Sequence, residues 1–317
     1  MKTSAPDPFA YDVREGLESA PKRLDPKYFY DALGSHLFEA ICQLPWYPLT
    51  RAEASLLERH APQMVAGLGE GAKLVELGCG SGEKLALLAT PLAARLPRVR
   101  VDLIDVSATA LELSTRTLGR LPGVEVTTHR ATYEEGLAAA AAGRQPAGAL
   151  LVLFLGSNIG NLDPATSAAF LDRIRGALRP GDAFLLGADL VKPAGDLVLA
   201  YDDPLGVTAA FNKNLLARIN RELGADFDLH AFDHRARWHA AASRVEMHLV
   251  SRRSQRVRVP AAGIEVAFAE GESIWTESSY KYEPEQLDRM AERAGFRCSR
   301  RWIEPRARFS TSLFVAG

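Results

Sequence analysis

Residues 73 to 84 read KLVELGCGSGEK. The apolar residues Leu74, Val75 and Leu77 lead into a loop carrying Gly78, Gly80 and Gly82, and a helical pattern follows. A second apolar run, VRVDLID, ends in Asp105. A strand, a glycine loop, a helix, a strand and an acid form a unit that holds an adenosine-containing cofactor. Glycines let backbone approach a ligand closely and adopt φ values closed to other residues. Dinucleotide sites use G-x-G-x-x-G with a pyrophosphate at the helix N-terminus. Here Gly78 and Gly80 fit that spacing, but the third place holds Glu83, whose charge would repel a pyrophosphate. A cofactor with a cationic sulfonium and an amino acid end tolerates it.

The pattern E-x-G-x-G-x-G from Glu76 resembles the first motif of class I S-adenosylmethionine-dependent methyltransferases. That resemblance implies that Asp105 accepts from both ribose hydroxyls, as a carboxylate can. An ordinary glycine-rich strand-to-helix turn would explain the loop alone. The loop together with an acid at the next strand end argues for the cofactor.

The remaining composition excludes several classes. Lys+Arg total 38 against Asp+Glu 39, a net charge of -1, with 47% hydrophobic and 24% charged residues in 317. This is ordinary for a soluble globular chain able to bury a sizeable core. No basic stripe suggests nucleic acid, since the arginine runs alternate with apolar residues as solvated strand faces do. Cys42, Cys79 and Cys298 show no metal or disulfide spacing, so reduced thiols in a cytoplasm are expected. Cys79 reads as a small residue in a tight loop, not a reactive thiol. No signal peptide opens the chain, and no apolar run is long enough to span a bilayer. The composition permits a monomer.

The elements that must position the site follow from periodicity. Residues 1–27 are proline-rich and read as an irregular arm. Helical spacing covers 28–44, the prolines of LPWYPLT break it, and a helix is expected over 51–68. Strands near 73–77, 99–104, 124–129, 149–155 and 182–190 alternate with helices near 83–95, 107–120 and 164–178. That order predicts an α/β, Rossmann-like parallel-rich sheet with helices on both faces. ALLVLFLG is continuously apolar, as a central strand should be. After 195 a long helix ends at Gly224, and period-two runs (DLHAFDHRARW, SRVEMHLVSR, QRVRV, IEVAF) predict antiparallel strands. A final helix and strand over 285–317 are expected to return to the first sheet. The expected plan is therefore an N-terminal part of the substrate domain over 1–52, a cofactor domain over 53–195, an inserted α+β substrate-binding domain over 196–284, and the return over 285–317.

Ligands of open parallel sheets bind beyond the carboxyl ends of the strands. There the fourth strand runs into FLGSNIGNL, with polar Ser157, Asn158 and Asn161. Helix capping would explain such a loop, but the favoured reading is a substrate wall facing the methyl donor. In the insert, Tyr201 and Thr208 lie near the start of the long helix. Glu270, Glu272 and Glu277 stand among Trp275, Tyr280 and Tyr282; Glu270 and Glu272 read as surface groups.

Beyond the cofactor motif, the chain resembles the histidine Nα-methyltransferases of ergothioneine biosynthesis. The resemblance is carried by YFYDALGSHLFEAI, YPLTRAE, ELGCGSGEK, FLGSNIGN, the run from YDD through GVTAAFN to RINRELGADFD, RVEMHLVS and TESSYKY, spanning residues 28 to 282. It implies trimethylation of free L-histidine to its betaine, with S-adenosyl-L-homocysteine as the other product. By the same resemblance Gly78, Gly80, Lys84 and Asp105 bind the cofactor, and Tyr30 lies in an arm that closes over it. Tyr47, Asn161 and Tyr201 hold the substrate's carboxylate and amino end, Glu277 and Ser279 grip the imidazole, and Met247 lies alongside. Where this family has an Asp-aromatic pair for adenine, this chain has Thr132-Tyr133. Tyr133 can still pack on adenine, and Thr132 accepts without a carboxylate's charge.

The implied reaction is an SN2 methyl transfer to an amine. An ammonium has no lone pair, so the substrate must lose a proton. Like-charge repulsion from a sulfonium lowers the ammonium pKa, and alignment alone lowers a barrier by up to roughly 7–11 kcal/mol in ideal cases. The proton relay is left open among Tyr30, Tyr47 and a water on Asn161. Tyr47 and Phe211 are candidate walls for a methylated cation. Glu277 accepts an imidazole N–H and Ser279 serves the other nitrogen, which selects histidine over tryptophan.

No metal site is expected. His230, His234 and His239 sit on a period-two run, with 230 and 234 sharing a face, and read as a solvated strand. The alternatives to the histidine enzyme are N-methylation of another free amino acid such as tryptophan, and a non-catalytic scaffold that binds the cofactor.

Overall fold

The computed structural model describes residues 7–317. Two units emerge, one formed by the chain through Pro48 with Lys192–Tyr280, the other by Leu49–Val191 with Lys281–Gly317. The expected boundaries at 52, 195 and 284 lie a few residues downstream of these.

The expected irregular arm is partly helical. Asp7 accepts from Phe9 N at 3.0 Å and caps α1 (Pro8–Glu18), which buries Phe9, Val13 and Leu17. Residues 1–6 of that arm lie outside the described residues. The single helix expected over 28–44 is split: a 3-10 turn at Pro26–Phe29 precedes α2 (Ala32–Gln43). The break comes from Asp31, whose carboxylate accepts from Gly34 N at 2.7 Å as an N-cap. A Cβ at Gly34 would lie 1.8 Å from Phe29 O, so the turn can fold onto the helix only there. Tyr30 is left between the two pieces.

The second unit begins with α3 (Leu49–Met64) and alternates through β1 (Lys73–Leu77), α4 (Glu83–Ala93), β2 (Val99–Asp105), α5 (Ala108–Leu118), β3 (Val124–Arg130), α6 (Tyr133–Ala142), β4 (Leu150–Phe154), α7 (Pro164–Ala177) and β5 (Ala183–Asp189). The first unit resumes with α8 (Ala194–Tyr201), α9 (Val207–Leu223), β6 (Phe232–His239), β7 (Arg244–Ser251), β8 (Gln255–Val259), β9 (Ile264–Phe268) and β10 (Ser273–Tyr280). The second closes with α10 (Pro284–Arg293), β11 (Phe296–Glu304) and β12 (Phe309–Ala316). The single closing strand is thus a hairpin.

In the second unit seven strands form one sheet in the order β11-β12-β5-β4-β1-β2-β3. β1 to β5 run parallel, while β12 is antiparallel to β5 and to β11. Every residue of β1 and β4 is buried, as central strands covered on both faces require. This is a Rossmann-like, parallel-rich α/β sheet, and the closing strands β11 and β12 join it beside β5.

In the first unit a three-stranded antiparallel sheet, β10-β7-β6, packs against α8 and α9, and β8 and β9 form a separate pair. α9 starts where Asp203 gathers the N–H groups of Leu205, Val207 and Thr208 at 2.8–3.2 Å, and it ends at Gly224 with φ 67°. Tyr201 closes the short α8 and does not open the long helix. The TESSY stretch makes up most of β10.

Candidate functional site

The glycine loop is built as its spacing demands. Gly78, Gly80 and Gly82 take φ values of 78°, 53° and 75°. A Cβ at Gly82 would come 2.8 Å from Ser114 Cα, and at Gly78 3.1 Å from Tyr133 Oη. At Gly80 it would meet nothing within 4 Å, so the loop's outer edge is open. Ser114 on α5 donates to Cys79 O and Gly80 O at 3.3 and 3.0 Å, bracing the loop from behind.

Asp105 stands at the end of β2, beside this loop. Its Oδ1 accepts from Ser107 N at 2.8 Å. Burial raises its pKa, opposed by the N–H groups of Ser107, Gly80, Cys79 and Val106. Glu76 on β1 is 3% exposed, and burial pushes its pKa to about 8, with Glu53 and Asp105 adding to the rise and Lys84 opposing it. Its Oε2 has no partner among the described residues. Buried polar groups normally find partners. Open glycine edge, half-buried acid and unpartnered buried carboxyl fit a ligand that brings both hydroxyls and positive charge.

Lys84, the second residue of α4, pairs with Glu53 of α3. Glu53 is fully buried and accepts from Gly156 N through both oxygens, at 3.0 and 2.8 Å. Gly187 leaves it room: a Cβ there would lie 1.9 Å from Glu53 Oε1. The 156–161 segment is held at two further points. Asp189 N donates to Ser157 Oγ at 2.9 Å, and Tyr282 Oη donates to Ile159 O at 3.0 Å. Asp189 itself pairs with buried Lys281 at 2.9 Å. Ser157 sits at φ 59°, a left-handed conformation that is strained for a serine and typical of functional loops. Asn161 ends the 3-10 turn of Asn158–Asn161 and is exposed.

Thr132 and Tyr133, the residues read as facing adenine, open α6. Thr132 caps α6 in a capping box: its hydroxyl donates to Glu135 Oε2 at 3.0 Å and accepts from Glu135 N at 3.3 Å. That hydroxyl is engaged in the helix, which leaves Thr132 at most one lone pair for a ligand. Tyr133 packs edge-on to Phe154 and Phe170, with centroids 5.5 and 6.1 Å away. Burial raises its phenol to about 12.

The first unit assembles the substrate candidates. Tyr201 Oη donates to Ser279 Oγ at 2.8 Å, both buried. Tyr47 lies 6.0 Å from the Tyr201 ring and is 8% exposed. Burial lifts its pKa well above 10, with Tyr201, Cys42, Tyr30 and Glu277 adding to the rise. Burial thus favours the neutral phenol of Tyr47. Phe38 continues the aromatic chain, 6.4 Å from Tyr47, 5.6 Å from Tyr30 and 6.1 Å from Phe211. Tyr30 is 45% exposed and Phe211 is 3% exposed, stacked on Phe29.

Glu277 and Ser279 lie on β10 opposite Met247 and Val245 of β7. Met247 is 2% exposed. The histidines do not form a solvated strand face. His230 precedes β6 in a 3-10 turn, so it shares no strand face with His234. The His234 side chain is buried, facing Asn212 Nδ2 at 2.9 Å and Tyr201 O at 2.8 Å, and burial lowers its pKa. Among the described residues no group of three or more His, Cys, Asp or Glu is arranged to hold a metal ion. Glu272, read as a surface group, pairs with Lys22.

Residue patterns do not single out Glu53 or Phe38; Asn158 of the polar loop lies close to the glycine loop, its Nδ2 3.5 Å from where a Cβ at Gly78 would be. Glu53 stands in the quoted segment YPLTRAE, and an acid amid helical apolar spacing was its one available signal. Phe38 looks like any core position of an amphipathic helix.

The chain matches the family of histidine-specific, S-adenosylmethionine-dependent methyltransferases over residues 9–316. It is 47% identical to the histidine N-alpha-methyltransferase of Mycolicibacterium smegmatis, covering 98% of this chain and 96% of that one. It is 45% identical to the enzyme of the same name from Mycobacterium tuberculosis, covering 95% and 93%. The ergothioneine biosynthesis protein 1 of Neurospora crassa is 32% identical over 65% of this chain and 24% of its own length.

Proposed function

The chain belongs to the family of histidine-specific, S-adenosylmethionine-dependent methyltransferases, and we propose on that premise that it trimethylates the α-amine of free L-histidine to hercynine, the first step of ergothioneine biosynthesis. The observation that carries the substrate reading is the buried Tyr201–Ser279 hydrogen bond at the strand that also carries Glu277. A carboxylate and a hydroxyl supply an acceptor and a donor for the two nitrogens of a neutral imidazole. A side chain without matching polar atoms forgoes these two hydrogen bonds, about 0.5–1.5 kcal/mol each, and is disfavoured.

S-adenosylmethionine, when bound, supplies an electrophilic methyl group on a sulfonium. Gly78, Gly80, Lys84 and Asp105 are the residues that would hold it, with Tyr133 against the adenine and Glu76 offering its unpartnered carboxyl oxygen to positive charge. Lys84 is set in place by Glu53. Tyr47 donates to a substrate carboxylate, because its phenol stays protonated. Tyr30, Phe38 and Phe211 present aromatic faces that suit a growing methylated ammonium. Asn161 is available to the amino end. The same reading makes the protein a cytoplasmic monomer acting on a small molecule, consistent with Cys42, Cys79 and Cys298 as thiols and a net charge of -1. Among the described residues no helix is long and apolar enough to cross a membrane.

Incubation with S-adenosylmethionine and each of the twenty amino acids separately, read by mass spectrometry, tests the proposal. Methylation of histidine alone is expected. Methylation of tryptophan in its place would replace the proposal with a related amino acid methyltransferase, and no product would favour a scaffold.

A further inference from the structure

We propose that Trp275 and Thr276, through an irregularity they create in β10, are positioning residues that set Glu277 on the histidine-binding face of the sheet. This rests on the reading that Glu277 grips the imidazole.

Residues two apart in a strand normally share a face. Trp275 and Glu277 should therefore point the same way, and they do not. Trp275 pairs with His248, but Glu277 pairs with Met247, with a register shift between them. Thr276 is the extra residue, as in a β-bulge. Directly paired residues face the same side. So Trp275 joins His248, Glu246 and Arg244 on one face. Glu277 joins Met247 on the other, where Ser279 pairs with Val245. The exposure of β6 identifies these faces: Asp233, Arg235 and Arg237 on the first are exposed, while Phe232 and Ala236 on the second are buried.

An inserted residue frees backbone groups from the ladder, and two side chains take them up. Trp275 Nε1 donates to Glu277 O at 2.9 Å. Buried Thr276 donates from Oγ1 to Met247 O at 3.0 Å. The outer edge is pinned as well: Trp275 N donates to Lys22 O and Leu24 N donates to Trp275 O, both at 2.9 Å.

The indole is itself held from behind. The Arg244 guanidinium lies 4.5 Å over its ring. Arg244 in turn donates through Nε and Nη2 to Glu246 Oε1 at 2.8 and 2.6 Å and through Nη1 to Tyr280 Oη at 2.8 Å. Glu246 is 1% exposed and also accepts from Arg237 at 2.6 Å. A buried, fully paired acid thus fixes an arginine, the arginine fixes an indole, and the indole fixes the carbonyl of the specificity residue. Trp275 acts through Glu277, from the far side of the sheet.

The test is L-histidine binding measured by titration calorimetry on enzyme saturated with S-adenosylhomocysteine. Trp275→Phe keeps the ring under Arg244 and removes the N–H; Thr276→Val keeps the shape and removes the hydroxyl. Losing one hydrogen bond that positions Glu277 is expected to raise the histidine Kd about five- to tenfold, with the S-adenosylhomocysteine Kd changed by less than about twofold. In a Glu277→Gln background the same substitutions are expected to add less than about twofold, because their effect passes through the lost carboxylate. A purely structural role would multiply undiminished in that background, and this result would overturn the proposal. So would unchanged histidine binding in both single variants where Glu277→Gln alone weakens it. If Glu277→Gln leaves histidine binding intact, the imidazole assignment itself falls, and this inference with it.

Discussion

Tyr201 Oη donates to Ser279 Oγ across 2.8 Å, joining the end of α8 to the third strand of the small sheet. The sequence separates these residues widely, yet the bond fixes the serine oxygen against a buried phenol. Oriented hydroxyls bind a specific nitrogen more tightly than rotating ones, since less freedom is lost on binding.

Tyr201→Phe keeps the ring and removes the hydroxyl. The histidine KM is expected to rise roughly tenfold, in line with about 1–1.5 kcal/mol for one hydrogen bond, while S-adenosylhomocysteine binding stays unchanged. Steady-state kinetics beside calorimetry checks both halves.

Glu277→Ala combined with Met247→Val removes the acid and widens the space beside it. Histidine turnover is expected to fall by about ten- to a hundredfold, the loss of a hydrogen bond to a charged group, and indole substrates should gain relative to it. Competition between histidine and tryptophan, read by mass spectrometry, measures the shift. No gain by tryptophan would refute the assignment of this face.

Gly82→Ala tests the loop. At φ 75°, with the new Cβ 2.8 Å from Ser114 Cα, the alanine is both strained and crowded by backbone. A loss of about 1–3 kcal/mol is expected, visible as a melting temperature several degrees lower. Gly80→Ala meets no neighbour within 4 Å, so its effect should be smaller on stability and larger on cofactor binding.

Glu76 predicts a pH dependence. Its folded pKa of about 8 lies above the ordinary 4.5, raised first by burial. A raised pKa stabilises the fold fully below about 4.5 and loses that contribution as pH climbs to about 8. The melting temperature of Glu76→Gln relative to the unaltered protein should therefore rise with pH across that window. A difference flat from pH 5 to 8 would contradict it. Binding of a cationic cofactor should favour the ionised acid, so S-adenosylmethionine affinity is expected to rise over the same range.

Much of this was legible from residue patterns. The parallel sheet, the glycine loop and Asp105 follow from local spacing, because each element buries its own periodic face. The position of Tyr201 was misread, since Asp203 starts α9 from outside the helix and no periodicity marks a separate α8. The helical α1 was hidden by prolines, one of which opens the helix at Pro8 without harm. His234 looked solvated on alternation alone; its partners Asn212 and the Tyr201 carbonyl come from helices far along the chain. The bulge at Thr276 breaks the very alternation that a pattern search relies on.

The central claim is that histidine's α-nitrogen receives three methyl groups. Proton NMR and tandem mass spectrometry of the product from histidine and excess S-adenosylmethionine test it most directly. A single end product with all three methyls on the α-nitrogen, and three S-adenosylhomocysteines formed per histidine, is predicted. Methyl groups on the imidazole ring, or histidine left unchanged while another amino acid is methylated, would contradict it.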